Sequence, residues 1–232
     1  MRFRSALRTA LTAARTNILP GALLQALMLV FLSAYIAHEG TRQFLLEVAR
    51  VKSEAGFLFA FVSYIVAAAL LPELLRVAFF QGGRIQRRNV WLFLTAAPFW
   101  GAMGIVVDAF YRFQGQLFGS HVDAVTIVCK VLVDQFLFSP LIGVPSVTAW
   151  FFWRDSGFRR SAGKQIFCAS FLWDRIFPIQ VAGWLIWIPG VTLVYFMPPL
   201  LQIPVAVLIQ CFWVLILTTL GERFDRKSPL AP

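Results

Sequence analysis

The feature that most limits how this chain can fold is a series of apolar runs, each about as long as a bilayer is thick. Residues 18–37 contain no charged side chain. A helix of about twenty residues rises about 30 Å, which matches the hydrocarbon core of a bilayer. Five comparable runs follow, so the sequence predicts an all-α, polytopic transmembrane helical bundle of about six spans. The predicted spans are 18–37, 55–80, 90–113, 124–153, 176–197 and 200–220.

Composition supports lipid as the solvent. Hydrophobic residues make up 59% of the 232 residues and charged residues only 14%. A soluble domain is nearer half apolar and a quarter charged, and one of this size could not bury so much apolar surface. We therefore expect the lipid bilayer as partner. We expect a multi-pass protein that is located in a bacterial inner membrane, or in an organellar membrane if the source is a eukaryote.

The positive charge is distributed unevenly between the two sides of this predicted topology. Fifteen Lys and Arg residues fall on the side of the termini and four on the other. By the positive-inside rule, both termini lie on the cytoplasmic side or its equivalent. The net charge of +10 is therefore explained by membrane orientation, and no nucleic-acid-binding motif accompanies it. We predict no nucleic-acid partner.

The polar segments are predicted as follows. Residues 1–17 form a basic amphipathic helix that lies in the headgroup region, although a mitochondrial presequence has the same composition. Residues 38–54 are a mixed-charge loop, and 221–232 are a polar tail. The apolar stretch 176–220 is too long for one helix, and Pro198-Pro199 divides it into a hairpin of two spans.

Ionisable residues inside spans are costly and mark the candidate site. Lys130 and Asp134 are four residues apart in the fourth span, so they share a face and can pair, and Gln135 follows directly. Asp108 in the third span has no local partner, and Lys130 is the candidate. The cluster is either the polar lining of a pore or a structural ion pair between helices.

A second pair lies near the inner end of the second span. Glu73 and Arg76 are three residues apart, directly after Pro72, and an Arg at that depth can extend to the interface. The pair is again open to a structural or a functional interpretation. No catalytic triad, paired histidines or phosphate-binding loop is present, so the sequence predicts no enzyme, no cofactor and no metal site.

The segment around the fourth-span cluster resembles a known family. Lys130 to Pro140 is similar to the K-x-x-x-D-Q-x-x-F-x-P signature of the Mpv-seventeen family, which includes the peroxisomal membrane protein of twenty-two kilodaltons. The resemblance extends over about 84–218. The other matching positions are Pro98, Asp108, Pro178, Pro189 and Trp213. Trp184 stands where the family has Asn, and the first span is additional to the usual four.

The resemblance implies an integral membrane protein with weakly selective passage of small solutes. Together with the buried ionisable cluster, it predicts a small-solute, channel-like protein with a path between the third and fourth spans. The alternative is a non-conducting structural or partner-binding membrane protein. The sequence identifies no small-molecule substrate, and it leaves open whether the chain forms a homo-oligomer.

Overall fold

The computed structural model describes residue 15 and residues 18–211, and every regular element of these residues is a helix. The predicted interfacial helix 1–17, apart from residue 15, lies outside the described residues. Trp213 and the polar tail 221–232 do so too. The helices are α1 (Ile18–Ala37), α2 (Glu39–Ala55), α3 (Phe57–Phe80), α4 (Arg87–Phe118), α5 (Ala124–Asp155), α6 (Arg160–Ile166), α7 (Ala169–Phe196) and α8 (Pro199–Cys211).

Four of these helices, α3, α4, α5 and α7, are long and apolar enough to cross a membrane. The pair α1 and α2 is bent by 98°, and counting it as one span gives five. Helix α8 is apolar but shorter over its described part. The described residues confirm the prediction of an all-helical fold with several helices long and apolar enough to cross a membrane, and the count of six stays a prediction.

Apolar side chains cover the outside of the bundle. Phe79, Val125 and Leu141 are each more than half exposed. In water such a surface would be costly, whereas in lipid it is the expected exterior of a spanning helix.

The prediction of a loop over 38–54 is wrong, because this segment is helix α2. His38 caps it by accepting a hydrogen bond at Nδ1 from the backbone N–H of Thr41 (3.2 Å). Leu45, Ala49 and Lys52 are spaced so that they share one face, and all three are buried. The segment suggested a loop because its average hydrophobicity is low. Most of its polar residues lie on the opposite, exposed face of an amphipathic helix.

A single residue, Gly56, joins α2 to α3, and α3 packs against α4. Gly56 adopts a positive φ of 56°, which glycine tolerates without steric cost. Beyond it, α3 packs along α4 at very short range. A Cβ added at Gly104 would lie 2.5 Å from the carbonyl oxygen of Ala60, so this approach requires glycine.

Three of the described helices contain a π-helical segment, and each such segment precedes or contains a proline. Val66–Leu70 precedes Pro72, Asp134–Gly143 contains Pro140, and Leu172–Ile176 precedes Pro178. Proline cannot donate to the carbonyl four residues back and its ring crowds that carbonyl, so a wider turn accommodates it. Pro98 and Pro189 lie inside regular helix.

Helices α7 and α8 contribute about half of the buried core residues. Helix α7 begins at Ala169, earlier than the predicted start at 176, because the chain from Ala169 continues through the π segment into the span. It ends at Phe196 and α8 begins at Pro199, which confirms the predicted break at Pro198-Pro199. Val194 and Ile209 are almost fully buried here.

Candidate functional site

A cavity of about 300 Å³ lies where α4 ends, α5 begins and the α7–α8 break approaches them. We call it the charged cavity. Its polar lining residues are Asp108, Arg112, Gln116, Ser120, Lys130 and Gln202. Two residues that the sequence singled out, Asp108 and Lys130, therefore face a shared space. Two others, Asp134 and Gln135, are not in its lining.

Asp108 on α4 is buried and is held by two cations. Lys52 Nζ, from α2, donates to Oδ2 of Asp108, and it also donates to the carbonyl of Gly56 (3.1 Å). Arg112, one turn further along α4, contacts the same carboxylate at 3.3 and 3.4 Å. The expectation that Lys130 is the partner of Asp108 is wrong, because the buried face of α2 delivers a lysine there first.

Lys130 is buried too, but its ammonium group contacts a neutral partner. Its Nζ donates to the carbonyl oxygen of Gly119 (2.7 Å), in the loop before α5. The predicted ion pair with Asp134 is not formed. Side chains lean toward the N-terminus of their helix, so Lys130 extends back to the loop, while the π segment that begins at Asp134 turns the carboxylate toward α7.

The start of α5 is fixed by a cap. Asp123 Oδ1 accepts a hydrogen bond from the backbone N–H of Thr126 (3.0 Å), and Oδ2 accepts one from its hydroxyl (2.7 Å). These bonds stabilise the ionised form and lower the pKa of Asp123. The cap sets where the following turn places Lys130.

Asp134 belongs to a network of buried hydrogen bonds. Tyr195 Oη, from α7, donates to Oδ2 (2.6 Å), and Gln135 Nε2 donates to Oδ1 (2.7 Å). Gln114 Nε2, from α4, donates to Tyr195 Oη (2.6 Å) and lies 3.3 Å from the carbonyl oxygen of Lys130. All of these side chains are buried. The network joins α4, α5 and α7.

The polar row on α5 continues past this network. Trp184 Nε1 donates to the carbonyl of Gln135 (2.9 Å). Ser139 and Gln180 then hydrogen-bond to each other (3.0 Å). Polar groups therefore follow α5 from the charged cavity to about the middle of the helix, into the turn that contains Pro140.

Aromatic rings close the space beside this row. Phe110 on α4 stacks on Phe138 of α5 with ring centroids 4.1 Å apart. Further along, Phe99 stacks on Trp150 at 5.5 Å. These two ring pairs join α4 and α5 near the middle of both helices.

A second cavity, of about 170 Å³, lies beyond the aromatic contacts. We call it the Pro72 cavity. Arg76 donates to Glu73 at 2.5 Å, which confirms the predicted pair, and Asn89 Nδ2 donates to the other carboxylate oxygen of Glu73 (2.8 Å). Arg154 of α5 completes its charged lining. Glu73 and Arg76 are therefore separate from the cluster around Asp108.

The residues of the site that sequence reasoning missed include Lys52, Arg112, Gln114 and Tyr195. The helical spacing of Lys52 with Leu45 and Ala49 was a signal that could have found it. Tyr195 lies in an apolar run, and nothing in its neighbours marks it.

Comparisons with family models, with curated proteins and with solved structures find no match to this chain.

Proposed function

We propose that this protein is an integral membrane protein that lets small polar solutes cross the bilayer along the interface of α4 and α5. The observation that carries the proposal is the row of buried polar side chains that begins at the charged cavity and follows α5 inward. Polar groups at membrane depth are expensive, and they are typical of solute and ion pathways. The Lys130 end of this row borders a cavity, as a pathway requires.

The second cavity gives the proposed path its other end. On α4, Asp108 lines the charged cavity and Ala96 lines the Pro72 cavity. At a rise of 1.5 Å per residue, these two positions are about 18 Å apart along the helix. Phe138, whose ring stacks on that of Phe110, lies between Lys130 and Phe151, the residues of α5 that line the two cavities. Apolar constrictions of this kind gate channels by excluding water. We therefore propose that the conformation described is the closed one.

The proposal includes a topology and a family. The chain has six spans, both termini lie on the cytoplasmic-equivalent side, and residues 1–17 and α2 lie along the membrane surface. It is a divergent member of the Mpv-seventeen family. The charge distribution and the signature from Lys130 to Pro140 support this. Single cysteines introduced at Ser161 and Ser228 in a cysteine-free chain would react with an impermeant thiol reagent from one and the same side. Labelling from opposite sides would remove the six-span topology.

A flux assay tests the function. The purified protein is reconstituted in liposomes and planar bilayers, and small-solute efflux and conductance are compared with protein-free membranes. Phe138→Ala removes one stacked ring, so we expect it to raise flux severalfold. Leu137→Ala is the matched control, because Leu137 is half exposed on the lipid side of the same helix. Asp134→Asn is expected to change selectivity. Absence of any flux above empty membranes, for wild type and Phe138→Ala alike, would end the proposal.

One observation favours the alternative, a non-conducting structural or partner-binding protein. Both carboxylate oxygens of Asp134 are taken by Tyr195 and Gln135 in a contact outside either cavity. If the network only holds helices together, its variants lose folded protein and no variant conducts. Measuring the folded fraction of each variant in detergent together with its flux distinguishes the two functions.

A further inference from the structure

The balance of charge around the charged cavity suggests which solutes it accepts. Asp108 pairs with two cations, Lys52 and Arg112, and a third cation, Lys130, lines the same cavity. Asp134 is the next carboxylate inward on α5, and its oxygens are occupied by Tyr195 and Gln135. With Asp134 included, the cluster still carries one positive charge in excess.

Lys130 carries this excess. Its ammonium group has three N–H donors, and within the described part of the chain the oxygen that it contacts is the neutral Gly119 carbonyl. Among residue 15 and residues 18–211, no carboxylate lies within ion-pair distance of it. A buried cation without a counter-charge is costly, and an anion bound beside it would offset that cost. The residue is only 3% exposed and lines the charged cavity, so the unmet charge faces that cavity.

Neutral donors and a second cation border the same space. Gln116, Ser120 and Gln202 can each donate a hydrogen bond to an oxyanion. Arg112 is half exposed and contacts Asp108 only at 3.3 and 3.4 Å, so part of its guanidinium remains available. A space of about 300 Å³ corresponds to about ten water molecules at ~30 Å³ each. It accommodates a phosphate ion or a short carboxylate with part of its hydration shell.

We propose that the charged cavity is a binding site for small, soluble oxyanions, carboxylate or phosphate, with Lys130 and Arg112 as their charge partners. This inference rests on the proposed function, because it names the class of solute that enters the path. A lipid phosphate group offers the same chemistry at the end of a span, and the experiment distinguishes the two sources.

The test is a binding measurement on the full chain in neutral maltoside micelles, by calorimetry with succinate and with inorganic phosphate. Succinamide, of the same shape without charge, is the ligand control. We expect binding of succinate or phosphate and none of succinamide. Lys130→Gln should weaken binding about tenfold or more, since a charge-assisted hydrogen bond is lost. Lys130→Arg should retain most of the affinity. Lys164→Gln, an exposed lysine on α6, is the matched control and should bind as wild type does.

If Lys130→Gln does not fold, Arg112→Gln gives the same test at a half-exposed position. The inference is overturned if wild type binds none of the anions, if succinamide binds equally, or if neither variant weakens binding. It is also overturned if phosphatidylglycerol added to the micelles binds while succinate and phosphate do not. Binding without flux in liposomes would leave the site in place and remove the proposed function. Flux without anion binding or anion preference would leave the proposed function in place and remove the anion site.

Discussion

Replacing Lys52 tests the contact that sequence reasoning missed. The side chains of Lys52 and Asp108 are 3% and 4% exposed, so Lys52→Met leaves a buried carboxylate without its closest cation. Removing one partner of a buried pair costs about 3–5 kcal/mol. Arg112 remains beside Asp108, but it is half exposed and its contact returns only about 1 kcal/mol. We therefore expect Lys52→Met to lower the free energy of unfolding by about 2–4 kcal/mol.

The assay is unfolding in mixed maltoside and dodecyl sulfate micelles, followed by circular dichroism. Arg50→Met is the matched control on the same helix. Its side chain is 70% exposed and its pair with Glu54 is a surface one, so we expect a loss below about 0.5 kcal/mol. Adding Asp108→Asn to Lys52→Met should recover most of the stability, because the unpaired charge is removed. The buried pair of Lys52 and Asp108 does not stabilise the fold as described if Lys52→Met costs no more than Arg50→Met, or if the loss in the double variant equals the sum of the two single losses.

Two further predictions concern helix contacts. Asp134→Ala and Tyr195→Phe should each destabilise the protein, and together they should cost less than their sum by about 0.6–1.7 kcal/mol, the range for hydrogen bonds between membrane helices. Additive losses in the same unfolding assay would mean that this bond contributes nothing. Gly104→Ala should cost about 1–3 kcal/mol, because the new Cβ would meet the α3 backbone. Gly115→Ala, on the same helix with open space around it, should gain up to about 1 kcal/mol, and equal effects of the two would contradict the packing described.

The spans were predictable because a bilayer imposes length and apolarity on each of them. Lys52 was not predicted because the segment 38–54 was judged by its average polarity rather than by the spacing of its apolar residues. Once Leu45, Ala49 and Lys52 share a face, one of them must bring a charge into the core, and such a charge requires an acid on another helix. Asp108, for which no local partner was predicted, was the acid that such a charge requires.

The geometry around Asp134 could not have been predicted in the same way. The expected pair of Lys130 with Asp134 assumed a regular helix, in which residues four apart face one another. Here the helix widens at Asp134, and adjacent residues Asp134 and Gln135 are both buried. The partner of Asp134 is Tyr195, which comes from another helix. Its position depends on how α7 packs, and local sequence does not encode that.

Helices α1 and α2 meet at a bend of 98°, and this bend affects the charged cavity although it does not touch it. Helix α2 is held at its far end by Lys52, and the carboxylate that holds it is also a wall of the charged cavity. If α2 detached, it would take one positive charge with it, and the cluster of Lys52, Arg112, Lys130, Asp108 and Asp134 would change from a single positive charge to neutral. The affinity of the charged cavity for an anion therefore depends on whether α2 is docked. A force or ligand that displaced α2 from outside would change the net charge around the cavity.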